Sequence, residues 1–176
     1  FDFRSLMNKL NQTLPITAGK NTFTNLGFKT QFVKSKRKLE IKQLVMVLDK
    51  TNLSGDFSLV DFDKPVINFD IDIDQINVDR YLPPADKDEG KKPLTPETAA
   101  GAAAQLPVET LQALNVDGSL SITDLTLSKM KMTNVELRLV GKDGNIQLKP
   151  VGANLYQGSY SGDVTINANG KLPKLV

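Results

Sequence analysis

Apolar and polar residues alternate along most of this chain with a period of two. The pattern is clearest from Leu53 to Pro84. There Ile67, Phe69, Ile71 and Ile73 fall on one face and Asn68, Asp70, Asp72 and Asp74 on the other. Such alternation predicts a sheet with one apolar and one wet side. Upstream, Leu26, Phe28, Thr30 and Phe32 alternate with polar neighbours, and Leu39 and Ile41 follow. The phase slips at Lys42-Gln43, and Leu44, Met46 and Leu48 resume on the other parity, the signature of a β-bulge. A turn over Asp49–Asn52 precedes a strand through Phe57 and Leu59. Pro65 marks a turn or a strand start. A second parity change at Gln75 leads into Ile76 and Val78.

Helical spacing occurs in few places. Phe3, Leu6, Met7, Leu10 and Leu14 predict a helix over 3–14, with Asp2 as N-cap and Pro15 as its stop. Its apolar stripe is expected to cover part of the sheet. A membrane-surface helix is the alternative, though its polar face carries only Arg4 and Lys9 as cations. Residues 85–92 read as a charged loop. Thr95-Pro96-Glu97 is a helix start, continued by Ala99–Ala104, which is either a small-residue helix contact or a linker punctuated by Gly101 and Pro107. Pro107 opens a further short helix with Val108, Leu111 and Leu114 inward. The strand pattern returns at Val116.

The chain repeats itself. Ser54-Gly-Asp-Phe-Ser-Leu59 is echoed by Asp117-Gly-Ser-Leu-Ser-Ile122 and by Ser161-Gly-Asp-Val-Thr-Ile166. The first and third copies lie 107 positions apart, and the offset holds without a gap. It carries Leu39, Ile41, Leu44, Leu48 and Leu59 onto Ile146, Leu148, Val151, Leu155 and Ile166, and both copies slip phase at one place, where Pro150 matches Gln43. Residues 23–60 and 130–167 are therefore expected to be two copies of a three-strand antiparallel meander. The fold class that follows is mainly β with a few helices: a curved, mostly antiparallel sheet forming an open groove. The organisation is a helix plus first meander over 1–84, a linker over 85–106, and a short helix plus second meander over 107–176, in one continuous β-rich domain.

Composition narrows the chemistry. Among 176 residues there is no Cys, His or Trp. That excludes disulfides, Cys/His metal sites and catalytic dyads built on His. A net charge of +2 argues against nucleic acid as the main partner. No Gly-x-Ser-x-Gly elbow, Ser-x-x-Lys or phosphate loop occurs. No apolar run approaches the length of a membrane span. The chain starts at Phe1 rather than Met and is read as a piece of a longer polypeptide.

Two charged features stand out. Lys34-Ser-Lys-Arg-Lys38 maps by the offset onto Gly141-Lys-Asp-Gly-Asn145, a hairpin turn, so it is expected to be a solvated turn, with contact to phosphates or anionic headgroups as the alternative. Asp70, Asp72 and Asp74 resemble the start of a calcium loop, but Gln75 replaces the turn glycine and Tyr81 the bidentate Glu. Alternate carboxylates along a strand lie roughly 6–7 Å apart, so the row is expected to be a solvated face that protects a sheet edge, with no metal site.

Phe69-Asp-Ile-Asp-Ile-Asp followed by Ile76-Asn-Val-Asp-Arg-Tyr-Leu-Pro83 resembles the strand-then-linker signature of AsmA-like proteins. Leu106-Pro with Leu111 and Leu114, then Val116-Asp-Gly-Ser-Leu-Ser-Ile, Val135-Glu-Leu, Gly144-Asn-Ile-Gln-Leu and Leu155-Tyr-Gln-Gly158, continue the likeness over most of 39–170. The resemblance implies a periplasmic portion of an envelope protein of Gram-negative bacteria, held in the inner membrane by an N-terminal helix not included here. It implies a link to outer-membrane assembly and lipid balance, and kinship with bridge-like lipid-transfer proteins. It carries over no catalytic residue and no cofactor.

The expectation is a non-enzymatic protein that holds or passes phospholipid acyl chains along an apolar groove. Strand parity nominates Phe28, Phe32, Leu44, Leu48, Phe57, Leu59, Phe69, Ile71, Leu120, Ile122, Leu137 and Leu139 for its floor. Expected partners are a phospholipid or other acyl-chain lipid and outer-membrane assembly proteins. The alternatives are an interaction module for outer-membrane protein assembly, using sheet edges and the acid row, and a hydrolytic or sugar-binding β-domain.

Overall fold

Asp2 starts the chain's first element as the N-cap expected from the helical spacing. Its carboxylate accepts the Ser5 N–H at 3.0 Å and caps helix α1, Phe3–Lys9. The helix is shorter than the expected 3–14. Asn11 takes a left-handed φ of 54°, its N–H bonds Asn8 O and the Gln12 N–H bonds Met7 O, which closes a Schellman motif two residues past the helix. Asn tolerates this conformation, so the helix ends well before Pro15. α1 buries none of its residues, and Leu6 and Leu10 stay exposed. It does not form the cover over the sheet expected from its stripe.

The computed structural model describes residues 1–84, 108–155, 158–170 and 174–175. The predicted loop at 85–92 and helix at 95–104 lie outside them. The strands are β1 (Leu26–Lys34), β2 (Lys38–Leu48), β3 (Thr51–Val60), β4 (Val66–Asn77), β5 (Asn115–Leu127), β6 (Met130–Lys142), β7 (Asn145–Leu155), β8 (Gly158–Asn167) and β9 (Lys174–Leu175). A 3-10 turn, Val78–Arg80, follows β4, and helix α2, Val108–Ala113, precedes β5. The strands form one curved sheet in chain order, β1 to β9. Every neighbouring pair is antiparallel except β4 and β5, which are parallel. A parallel pair needs a long crossover, and the stretch between Asn77 and Asn115 supplies it.

The two meanders are present and share their register. Leu39↔Leu59, Ile41↔Phe57, Leu44↔Gly55 and Leu48↔Thr51 in β2–β3 recur as Ile146↔Ile166, Leu148↔Val164, Val151↔Gly162 and Leu155↔Gly158 in β7–β8. Both pairs slip at the bulge, between Ile41 and Leu44 and between Leu148 and Val151. Gln43, the extra residue, has a φ of 50°. The correspondence of β1 with β6 breaks at Asn134, a further left-handed residue that has no counterpart in β1.

Turns follow their chemistry. Ser128-Lys129 and Asp143-Gly144 have positive φ at both positions, as two-residue hairpins of the primed type require. The turn after β2 is Asp49-Lys50 alone; Thr51 and Asn52 already belong to β3. Pro65 ends a loop, and β4 starts beside it.

A cluster of buried apolar side chains lies at one end. Leu111 of α2 packs with Ile146, Ile166 and Ala168, flanked by Leu114, Leu139 and Val164. Gln112 Nε2 donates to Ala168 O at 2.9 Å and fixes α2 against the segment after β8.

Candidate functional site

The register assembles apolar side chains into rows that cross the sheet. Directly paired residues share a face. One row runs Phe32, Ile41, Phe57, Phe69, Gly118, Leu139, Leu148 and Val164. The next runs Leu44, Gly55, Ile71, Leu120 and Leu137, and a third Phe28, Met46, Leu53, Ile73, Ile122 and Val135. A fourth runs Leu39, Leu59, Ile67, Val116, Gly141, Ile146 and Ile166. Leu48 pairs with Leu26 and Thr51 at the far end.

All twelve residues nominated from parity therefore lie on one face. The same face also includes Leu39, Ile41, Met46, Leu53, Ile67, Ile73, Val116, Val135, Ile146, Leu148, Val164 and Ile166. Met46, Leu53, Ile67, Ile73, Val116 and Val135 share the parity of the nominated residues on their own strands, whereas Leu39 and Ile41 lie across the bulge and Ile146, Leu148, Val164 and Ile166 lie on strands with no nominated residue, so register is what joins these into the rows. At a spacing of ~4.8 Å between strands, eight strands give a path on the order of 30 Å across the face.

Cover over this face is uneven. Ile122 is buried, and Leu44, Leu48, Phe57, Leu59, Phe69, Ile71, Leu120, Leu137 and Leu139 are half-buried. Phe28 and Phe32 are 67% and 61% exposed. Among the described residues, the buried helix side chain over this face is Leu111 of α2, at the β7–β8 end. The Phe69 ring lies over Gly118, and a Cβ at that glycine would run into it. Gly118 thus lets an aromatic ring from the neighbouring strand lie flat in the row.

The opposite face is polar. Asp70 and Asp72 are exposed and Asp74 half-buried. Burial pushes the Asp74 carboxyl up, but bonds from Asn52 Nδ2, the Asn52 N–H and the Gln75 N–H outweigh it and hold it below its ordinary value. Ser119 Oγ donates to Asp70. The acid row belongs to β4, the fourth of nine strands. It protects no edge, contrary to expectation, because β5 pairs with β4 along its whole length. The basic cluster Lys34–Lys38 is a solvated turn: Ser35 N–H bonds Lys38 O, Arg37 pairs with Asp61, and Lys38 with Glu40 at 2.9 Å.

The stretch Ile76–Pro83 acts as a clasp where several turns meet. The Asp79 carboxylate accepts the N–H groups of Ser128 and Lys129 at 2.6 and 2.7 Å, gripping the β5–β6 hairpin. Arg80 O accepts the Gly19 N–H, Arg80 Nη2 donates to Asn21 O, and Leu82 O accepts the Ala18 N–H. The Tyr81 hydroxyl reaches Asp49 in the β2–β3 turn, and its ring meets Phe23 edge-on at 5.4 Å. These residues hold the sheet's hairpins in place and line no part of the apolar rows.

Among the described residues no helix is long and apolar enough to cross a membrane. A family model described as the AsmA family matches residues 3–174. No curated protein and no solved structure matches the chain.

Proposed function

We propose, from the premise that this chain belongs to the AsmA family, that its apolar sheet face holds or passes phospholipid acyl chains in the periplasm without catalysing a reaction. Membership supports, at the level of the family, a role in outer-membrane assembly and lipid-related envelope function. The observation that carries the finer reading is the continuity of the apolar rows from β1 to β8 together with their partial exposure. A sheet face that served only as a core would bury its phenylalanines. Here Phe28 and Phe32 lie at the open side of the rows and face solvent. Each methylene of an acyl chain removed from water there contributes about 0.8 kcal/mol, so a chain of ordinary length has ample driving force without any polar recognition. Native mass spectrometry and lipid extraction of the purified protein test the reading. Co-purified phospholipid, displaced by a fluorescent fatty acid, is the expected result. Protein that carries no lipid and fails to bind the fatty acid removes the reading for this chain.

A further inference from the structure

We infer that a polar pocket beside the clasp binds a phosphate group. The pocket has a volume of about 300 Å3 and is lined by Lys50, Arg80 and Lys131, with Asp124 as its one carboxylate among the described residues. The inference goes beyond the acyl-chain reading and does not rest on it, because none of the twelve residues nominated for the apolar floor lines this pocket.

The three cations come from three separate elements. Lys50 belongs to the β2–β3 turn, Arg80 to the 3-10 turn after β4, and Lys131 to β6 just past its hairpin turn. Each is positioned by a bond of the clasp. Asp49, beside Lys50, accepts the Tyr81 hydroxyl at 2.9 Å. Arg80 Nη2 donates to Asn21 O at 3.1 Å, which anchors the guanidinium and leaves its remaining N–H groups without a partner among the described residues. Asp79 holds the N–H groups of Ser128 and Lys129, and with them the start of β6.

The strand register adds neutral donors to the cations. Asn77 pairs with Thr126 and Thr126 with Lys131, while Gln75 pairs with Asp124. Directly paired side chains share a face, so an amide and a hydroxyl lie in one row with Lys131. Gln75, Asn77 and Lys131 are exposed and Thr126 is half-buried, which leaves their polar ends open to a ligand.

The charge of the pocket calls for an anion. Three cations against one carboxylate leave two positive charges in excess. None of Lys50, Arg80 and Lys131 forms an ion pair among the described residues, whereas in the basic turn Arg37 and Lys38 are held by Asp61 and Glu40. Like charges gathered around one cavity repel, and a dianion removes that repulsion. The Arg80 fork matches phosphate oxygens, and the lysines add point charges from two other sides. Donors on three sides suit a tetrahedral oxyanion better than a planar carboxylate. A volume of about 300 Å3 lies at the small end of ligand sites, which suits a phosphate and a short group esterified to it.

The test titrates inorganic phosphate and glycerol phosphate into the isotopically labelled chain at constant ionic strength and follows the backbone amide resonances. Saturable shifts are expected at Lys50, Thr51, Asn77, Thr126 and Lys131, and none at Lys34–Lys38. Lys50 and Lys131 are exposed, so their replacement leaves the clasp bonds intact. Lys50→Gln and Lys131→Gln are each expected to weaken binding about threefold, and together about tenfold. Lys36→Gln, in the basic turn, binds like the parent chain. Asp124→Asn removes the acid and is expected to tighten binding about threefold, a gain that a structural role for Asp124 does not produce. Cosedimentation with phosphatidylglycerol vesicles separates the sources of the phosphate. Sedimentation that falls in the Lys50/Lys131 double variant assigns the site to a lipid headgroup, and binding of the soluble ligands without sedimentation assigns it to a soluble phosphate. Shifts at Lys34–Lys38 instead of the pocket, a double variant that binds like the parent, or an Asp124→Asn chain that binds no tighter overturns the inference.

Discussion

The Tyr81 hydroxyl donates to the Asp49 carboxylate over 2.9 Å, and this bond ties the segment after β4 to the β2–β3 turn. Asp49 also accepts the N–H groups of Phe23, Thr24 and Asn25 at 2.9 to 3.1 Å, so one side chain joins three separate stretches. Tyr81→Phe keeps the ring on Phe23 and removes only the hydroxyl. A partly buried hydrogen bond to a charged group is worth about 1.5–3 kcal/mol, and a loss near the lower end is expected. Urea unfolding checks it: the midpoint falls with an unchanged slope. Asp49→Ala is expected to cost more, because it strips acceptors from three backbone N–H groups at once.

The same pair sets two limits of stability with pH. Burial pushes the Asp49 carboxyl up, but bonds from Asn25, Tyr81, Phe23 and Thr24 outweigh it and hold it below 3.8. A depressed folded value stabilises above the unfolded value, and that contribution disappears as pH falls through the folded one. Stability is thus expected to drop below about pH 4. Burial, then the bond to Asp49 and its charge, push the Tyr81 hydroxyl up from 10.0 to about 12. A raised folded value stabilises fully below the unfolded one, so this contribution fades between pH 10.0 and about 12. Thermal melts across both ranges check the limits, and in Tyr81→Phe the alkaline decline is expected to become shallower.

Period-two alternation made the strands legible, and the offset of the repeat made the register legible, down to the bulge at Gln43. What parity could not supply was the order of β4 and β5. Their parallel pairing depends on the stretch that joins them, not on any residue in either strand. The acid row was misassigned to an edge for the same reason: Asp70 and Asp72 read alike whether β5 lies beside them or not. The end of α1 was hidden by Pro15, a conspicuous stop, while Asn11 closed the helix through its backbone. Ile76–Pro83 was visible as a motif, but its role as a clasp rests on bonds from Asp79 and Tyr81 to residues 32 to 50 positions away.

The repeated glycines test how far the two units are equivalent. Gly55 has a φ of 150°, and a Cβ there would collide with the Asp70 carbonyl oxygen. Gly162, its counterpart, has ordinary backbone, and its Cβ would meet the outer end of the exposed Tyr160 side chain, the hydroxyl oxygen at 2.7 Å and Cζ at 3.2 Å. Gly55→Ala is expected to destabilise by about 3 kcal/mol, from backbone strain and collision together. Gly162→Ala is expected to stay within about 1 kcal/mol. Denaturant unfolding of both variants separates them, and equal losses would contradict the difference in backbone.

Exposure along the apolar rows separates lipid capture from folding. Phe28 and Phe32 are more than half exposed, so Phe28→Ser with Phe32→Ser removes little native packing and is expected to change stability by about 0.5 kcal/mol or less. Phe57 is half-buried and pairs with Phe69 in the middle of the long row. Phe57→Ser is expected to cost about 2–4 kcal/mol through lost transfer energy and the cavity left behind. If acyl chains lie on this face, the edge pair weakens binding of a fluorescent fatty acid several-fold in a protein that melts normally, since each phenyl ring buries a large apolar area against a ligand. A double variant that melts normally and still binds at full affinity would confine the acyl chain to the central rows, away from the open edge.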